Sequence, residues 1–89
     1  MLRITTMKTN GSPIQLKLEG KIMAEWASLL EHECRTFIAQ QQHVVLDMAG
    51  VTFLDGHGVM MLQSLPDQHI SLINRSDFIK ELLEKGEQA

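Results

Sequence analysis

Two segments at the start of the chain, residues 2–8 and 14–20, alternate apolar and polar residues, the first of them only at its beginning, where Leu2 and Ile4 alternate with polar neighbours. The apolar face of the second segment consists of Ile14, Leu16 and Leu18. A period of two is that of a half-buried β-strand. Residues 9–13 read Thr-Asn-Gly-Ser-Pro, which is turn chemistry because Asn and Gly accept positive φ and Pro restricts its own. The pattern predicts a β-hairpin.

From Lys21 to about Gln41 the apolar residues recur at steps of three and four. The stripe consists of Met23, Trp26, Leu30, Cys34 and Phe37. That spacing predicts an amphipathic helix, with Trp26 as a core anchor, and Glu31 and Arg35 are spaced for an i, i+4 ion pair.

The second half of the chain contains two further pairs of strand and helix. Residues 44–48 are mostly apolar and predict a buried strand, and residues 49–54 lead from it to Asp55. Asp55 is a good N-cap for a helix over residues 56–65, which Pro66 ends. Residues 69–73 alternate and predict the last strand.

A final helix is predicted after Ser76, a suitable N-cap. Its expected buried face consists of Phe78, Ile79, Leu82 and Leu83, and Gly86 is expected to end it. The predicted order β-β-α-β-α-β-α indicates an α/β fold with a mixed sheet and helices packed on it, in a single domain over residues 1–89.

Composition and charge narrow the classes of partner. The net charge of −3 and the pI near 5.7 argue against nucleic acid and anionic membranes. No segment has the roughly 20 apolar residues that a membrane span needs. The single Cys34 excludes an internal disulfide and fits a reducing compartment. We therefore expect a cytoplasmic protein with a protein partner.

Residues 44–58 read VVLDMAGVTFLDGHG. This segment resembles the central signature of STAS domains, the family of anti-sigma factor antagonists and sulfate-transporter tails. In that signature an apolar strand with an Asp leads through a small loop to Asp-Ser-Ser-Gly at the start of a helix. Residues 18–22 and 72–74 also resemble the family, so the likeness covers nearly the whole chain. The chain resembles small stand-alone bacterial STAS proteins.

The departures from the family pattern concern regulation. In the antagonists, the second serine of Asp-Ser-Ser-Gly is phosphorylated by a partner kinase, which switches binding off. The two serine positions here are Gly56 and His57. The resemblance therefore makes His57 the equivalent of the phospho-acceptor, without a hydroxyl to modify. An acidic residue that is common in many relatives just after the glycine of the second strand is also absent, and Met23 lies near that place.

The candidate partner-binding residues surround the start of the predicted second helix. They are Asp55, Gly56, His57, Gly58 and Met61. Two glycines bring the backbone to the surface, and free amides at a helix start favour a carboxylate or phosphate of a partner. Of the adjacent Met60 and Met61, one is expected to point away from the core. The alternative is a plain capped turn with both methionines inside.

Catalysis, metal binding and cofactors are not expected. No nucleophile lies at a recognisable spacing from Asp47, Asp55 or His57, and the glycine-rich phosphate-binding motifs are absent from the sequence. Cys34 lies on the apolar stripe, as a small core residue does. A metal site needs three or more converging ligands, which the histidine spacing does not indicate.

The sequence thus predicts a non-catalytic regulatory module that resembles an anti-sigma factor antagonist. An anti-sigma-type kinase, a transporter ATPase or another signalling complex is the expected kind of partner. Two alternatives stay open: a sensor of nucleotides or other small anions, and an accessory subunit or homodimer.

Overall fold

The computed structural model describes residues 1–7 and 13–87, so most of the turn predicted at 9–13 lies outside the described residues. The elements are β1 (Leu2–Met7), β2 (Ile14–Ile22), α1 (Glu25–Ala39), β3 (Val44–Leu54), α2 (Gly56–Ser64), β4 (Ile70–Ile73) and α3 (Asp77–Glu87). The predicted order β-β-α-β-α-β-α and the α/β class are confirmed.

The four strands form one mixed sheet in the order β1-β2-β3-β4. β1 runs antiparallel to β2, while β2, β3 and β4 are parallel to one another. Each parallel pair is joined by a crossover helix, as parallel pairing requires. Because Ile22 pairs with Leu54, β2 and β3 end side by side. The chain therefore leaves both strands at the same edge of the sheet, where α1 and α2 begin.

One face of the sheet carries the hydrophobic core. Its strand residues include Leu16, Leu18, Leu46 and Met48, which are almost fully buried, and they alternate with more exposed neighbours. All three helices contribute to the same cluster, among others through Leu30, Leu62 and Ile79. With 15, 9 and 11 residues, none of the described helices is long and apolar enough to cross a bilayer.

The first helix begins four residues later than the sequence pattern predicts. Lys21 and Ile22 extend β2 instead, paired with the end of β3. Met23 is 36% exposed and is no part of the buried stripe, and Trp26 is only partly buried against the core. The apolar pattern runs continuously from a strand into a helix here, so periodicity alone could not place the boundary.

The predictions for β3 and α3 also need correction. β3 runs for eleven residues to Leu54 instead of ending at Met48. Ser76 caps α3 as predicted, since Ile79 N donates to its Oγ at 3.2 Å. Phe78 is 50% exposed rather than buried, with its ring centroid 6.4 Å from that of Phe53. The helix continues through Gly86, which does not end it.

Candidate functional site at the start of α2

The predicted site forms a corner where β2 and β3 end together. Asp55 follows β3 directly, and its backbone N donates to Ile22 O of β2 at 3.2 Å. The turn that joins β2 to α1 lies next to Asp55. The corner therefore brings together two connections that are about 30 residues apart in sequence.

The Asp55 carboxylate connects these two segments. Its Oδ1 accepts from Gly58 N at 2.8 Å, which confirms the predicted N-cap of α2. Its Oδ2 accepts from Ala24 N at 2.9 Å, just before α1. One side chain thus satisfies a free amide of α2 and fixes the turn in front of α1. Sequence reasoning missed the second contact, because no local pattern signals a bond across 31 positions.

His57 lies on the outside of this corner. Its Nδ1 is 3.3 Å from Asp55 Oδ2, and its side chain is 77% exposed against 21% for Asp55. Partial burial by itself raises the pKa of the Asp55 carboxyl. The amides of Gly58 and Ala24 and the His57 ring outweigh it, so that the pKa lies below its usual value. Asp55 is therefore an anchored anion, while the imidazole is free to contact another molecule.

The two glycines of the corner have different environments. Gly56 is exposed, and a Cβ there would meet nothing within 4 Å. Gly58 is buried, and a Cβ there would approach Ile22 O to 2.6 Å. The prediction that both glycines bring backbone to the surface is thus wrong for Gly58, which lets α2 pack against the end of β2.

One of the two adjacent methionines points away from the core, as expected, but it is Met60 and not Met61, the candidate partner-binding residue. Met61 is 5% exposed and belongs to the core, so it presents little surface to a partner, although it lines the groove between α1 and α2. Met60 is 71% exposed. The reason is the direction of α2, whose buried positions include Gly58, Met61 and Leu62. Met60, which follows His57 after three positions on the helix, takes the place of Met61 in the candidate surface.

An open groove of about 300 Å³ lies between α1 and α2. It is lined by Ala27, Ser28, Glu31, His57, Met60, Met61 and Ser64. Its rim carries the predicted ion pair, with Arg35 Nε 2.8 Å from Glu31 Oε2. The lining mixes apolar and polar side chains, which is the composition of many protein contact surfaces.

The start of α2 is less favourable to anions than the sequence analysis proposed. Of the first amides of the helix, that of Gly58 already donates to Asp55. The amides of Gly56 and His57 remain without an acceptor in the described part of the chain. The Asp55 carboxylate beside them, and Glu31 in the groove, repel a phosphate. The site therefore suits a protein contact better than a small anion.

Neither the Ser64 hydroxyl nor the Cys34 thiol has the surroundings of an activated nucleophile. Ser64 Oγ, in the groove, donates to Met61 O at 2.7 Å. Cys34 is fully buried, and its burial, followed by the charge of Glu33, raises the pKa of its thiol to about 12, so the thiol is not activated. Among the residues whose side chains are described, no three His, Cys, Asp or Glu residues converge as metal ligands.

The family follows from comparison with known sequences. The family model for the STAS domain matches residues 5–87. The chain belongs to the STAS domain family. The resemblance of residues 44–58 is thereby confirmed, and the match includes the whole Asp55 corner. No curated protein sequence is similar enough to this STAS chain to count as a match.

Solved structures with the same fold include two anti-sigma factor antagonists. The antagonist SpoIIAA in its unphosphorylated form superposes with a TM-score of 0.74 at 13% identity, covering 92% of this chain and 82% of its own. An anti-sigma factor antagonist from Mycobacterium paratuberculosis gives a TM-score of 0.77 at 17% identity, covering 99% and 80%. At these identities the likeness establishes the fold of this STAS domain.

Proposed function

We propose that this STAS domain is a non-catalytic regulatory module that binds a protein partner through the start of α2. Its docking face consists of Gly56, His57 and Met60, with the α1–α2 groove beside them. The observation that carries the proposal is the exposure of His57 and Met60, at 77% and 71%, on a corner whose backbone is held by Asp55. An exposed apolar side chain on a rigid frame is what a docking surface requires.

The family and the fold support a regulatory role of the antagonist kind. Both solved proteins named above are anti-sigma factor antagonists, which supports an antagonist-like role for this chain, with the start of α2 as its proposed partner surface. A kinase-type regulator of that system is the partner class we favour, over a transporter ATPase or another signalling complex.

Regulation would differ from that of the phosphorylated antagonists. His57 stands where the resemblance places the phospho-acceptor serine, and Gly56 stands at the serine before it. Neither residue has a hydroxyl group, so a serine kinase has no acceptor at these two positions. We propose that binding is controlled by the amount of the protein or by competition between partners.

Affinity capture from a native-cell lysate tests the docking face. His57→Glu and Met60→Asp are each expected to remove the captured partner, because they place charge in the contact. Lys80→Ala, an exposed position on α3, is the matched control and should retain it. The purified partner is then titrated against each variant. Unchanged binding by both α2 variants would exclude this surface.

The two alternatives from the sequence have their own tests. A small-anion sensor predicts a higher melting temperature with ATP or phosphate, since ligand at about 100 times its Kd adds roughly 2.7 kcal/mol. Because the Asp55 carboxylate occupies the helix start, we expect no such shift. Light scattering at high concentration tests the homodimer.

A further inference from the structure

The turn in front of α1 has an unusual backbone. Trp26 N donates to Met23 O at 2.9 Å, which closes a four-residue turn. Ala24 is its second residue, with φ 48° and ψ −125°. This is the conformation of a type II′ turn, in which glycine normally occupies that position. A Cβ makes it unfavourable, so the turn needs an external contact to hold it.

Asp55 supplies that contact. Its Oδ2 accepts from Ala24 N at 2.9 Å and lies 3.3 Å from His57 Nδ1. The strained turn and the exposed imidazole therefore meet at a single oxygen atom. Met23 and Ala24, both exposed, extend the surface around His57. A partner that covers His57 would be close to this turn as well.

We infer that Asp55 is a positioning residue that holds the strained Met23–Trp26 turn in place as part of the docking face. Its two oxygens accept from the amides of Gly58 and Ala24, so its proposed role is to position the turn. The claim that the turn belongs to the docking face rests on the proposed function. The claim that Asp55 holds the turn is independent of it.

Asp55→Asn separates the two bonds of Asp55. Asparagine keeps one acceptor oxygen and remains a good N-cap, so it retains the bond from Gly58 N. Its NH₂ group cannot accept from Ala24 N. Amide hydrogen exchange, followed by NMR, should then show roughly fivefold or faster exchange at Ala24 and Trp26, with Gly58 still protected. His57→Ala, which leaves both Asp55 bonds intact, is the control.

Ala24→Gly should rescue the turn, because glycine adopts the conformation without strain. In the Ala24→Gly background, Asp55→Asn should lower the melting temperature less than it does in the wild type, and Trp26 should keep its protection. Equal effects in both backgrounds, or unchanged exchange at Ala24 in Asp55→Asn, would overturn the inference.

Partner capture distinguishes the two proposals. If the turn belongs to the docking face, Asp55→Asn weakens capture and the double variant with Ala24→Gly restores it. A turn that loosens in the exchange experiment while capture stays unchanged would remove the turn from the docking face. Failure of the wild type to bind any protein partner would instead reject the proposed function and leave the positioning role of Asp55 supported.

Discussion

Asp47, within β3, and Asp55, directly after it, both accept hydrogen bonds that join a nearby and a distant part of the chain. Asp55 accepts from the amides of Gly58 and Ala24. Asp47, within β3, accepts from Ala49 N at 3.0 Å and from Asn74 Nδ2 at 3.1 Å. Each carboxylate thus bonds one nearby amide and one distant segment. The distant residue has a left-handed φ in both cases, 48° at Ala24 and 58° at Asn74.

The two distant residues, Ala24 and Asn74, differ in type, and this difference shows which of the two contacts involves backbone strain. Asparagine adopts a left-handed backbone readily, whereas alanine does so at a cost. At Asn74 the residue type agrees with the conformation, and the bond to Asp47 is additional. At Ala24 the residue type opposes the conformation, and Asp55 must hold it. Strain of this kind tends to occur at functional sites, which accords with the docking face proposed beside Ala24.

The largest effect is expected at Gly58, where the Asp55 corner is most tightly packed. Gly58→Ala would place a Cβ 2.6 Å from the backbone oxygen of Ile22, which cannot move without shifting β2. We expect a loss of about 1–3 kcal/mol in the free energy of unfolding, measured by urea denaturation. Gly56→Ala, which faces open space, is the control and should change it little. Equal values for the two variants would contradict the tight contact.

Alanine substitutions at Asp55 and Asp47 compare how much each carboxylate contributes to the free energy of unfolding. Asp55→Ala deletes the N-cap and the bond to Ala24, so we expect a loss of about 2 kcal/mol. Asp47→Ala deletes two bonds but no helix cap, so about 1 kcal/mol or less is expected. Both values come from the same urea titrations. An equal or larger loss at Asp47 would show that the Ala24 turn adds nothing to the importance of Asp55.

Substitutions at Asn74 test whether residue type explains the relaxed corner. Asn74→Ala leaves a Cβ in a left-handed backbone without the asparagine side chain, and we expect a loss of about 1 kcal/mol. Asn74→Gly loses the same bond to Asp47 but tolerates the conformation, so it should be less destabilising than Asn74→Ala. The midpoint of thermal unfolding ranks the two variants. The reverse order would mean that φ at Asn74 is not the deciding property.

The sequence predicted the elements whose signals are local. The alternation in β2, the caps at Asp55 and Ser76 and the resemblance of residues 44–58 all depend on neighbours within a few positions, and all are confirmed. The start of α1 was misplaced, because the apolar residues of β2 and α1 follow one another without a polar break.

The choice between Met60 and Met61 depended on tertiary packing. Adjacent helix positions point in different directions, but their order is set by how α2 lies on the sheet. The same holds for Phe78, whose apolar side chain rests on Phe53 and remains half exposed. The bond between Asp55 and Ala24 has no local signal at all. The sequence therefore indicated the candidate site, whereas the exposure of Met60 and the strained turn became evident only in the structure.

The smallest expected effect is the contribution of Asp47 and Asp55 to the pH dependence of stability. At Asp47 the amide of Ala49 and then Asn74 lower the pKa. At Asp55 burial raises the pKa, but the amides of Gly58 and Ala24 and the His57 ring together lower it by more. The unfolded chain protonates these carboxyls near pH ~3.9, and the folded chain only at lower pH. The unfolded state therefore binds more protons as the pH falls through this range, so stability present above it is lost below it.

Urea titrations at about pH 5 and about pH 3 measure that loss. Asp47→Asn and Asp55→Asn should each lose less stability between the two pH values than the wild type does. The reductions should add in the double variant, because the two carboxylates share no hydrogen-bond partner and distant sites are independent. A double variant as sensitive to acid as the wild type would show that other carboxyls carry the pH dependence, and that neither corner is held by an ionised aspartate.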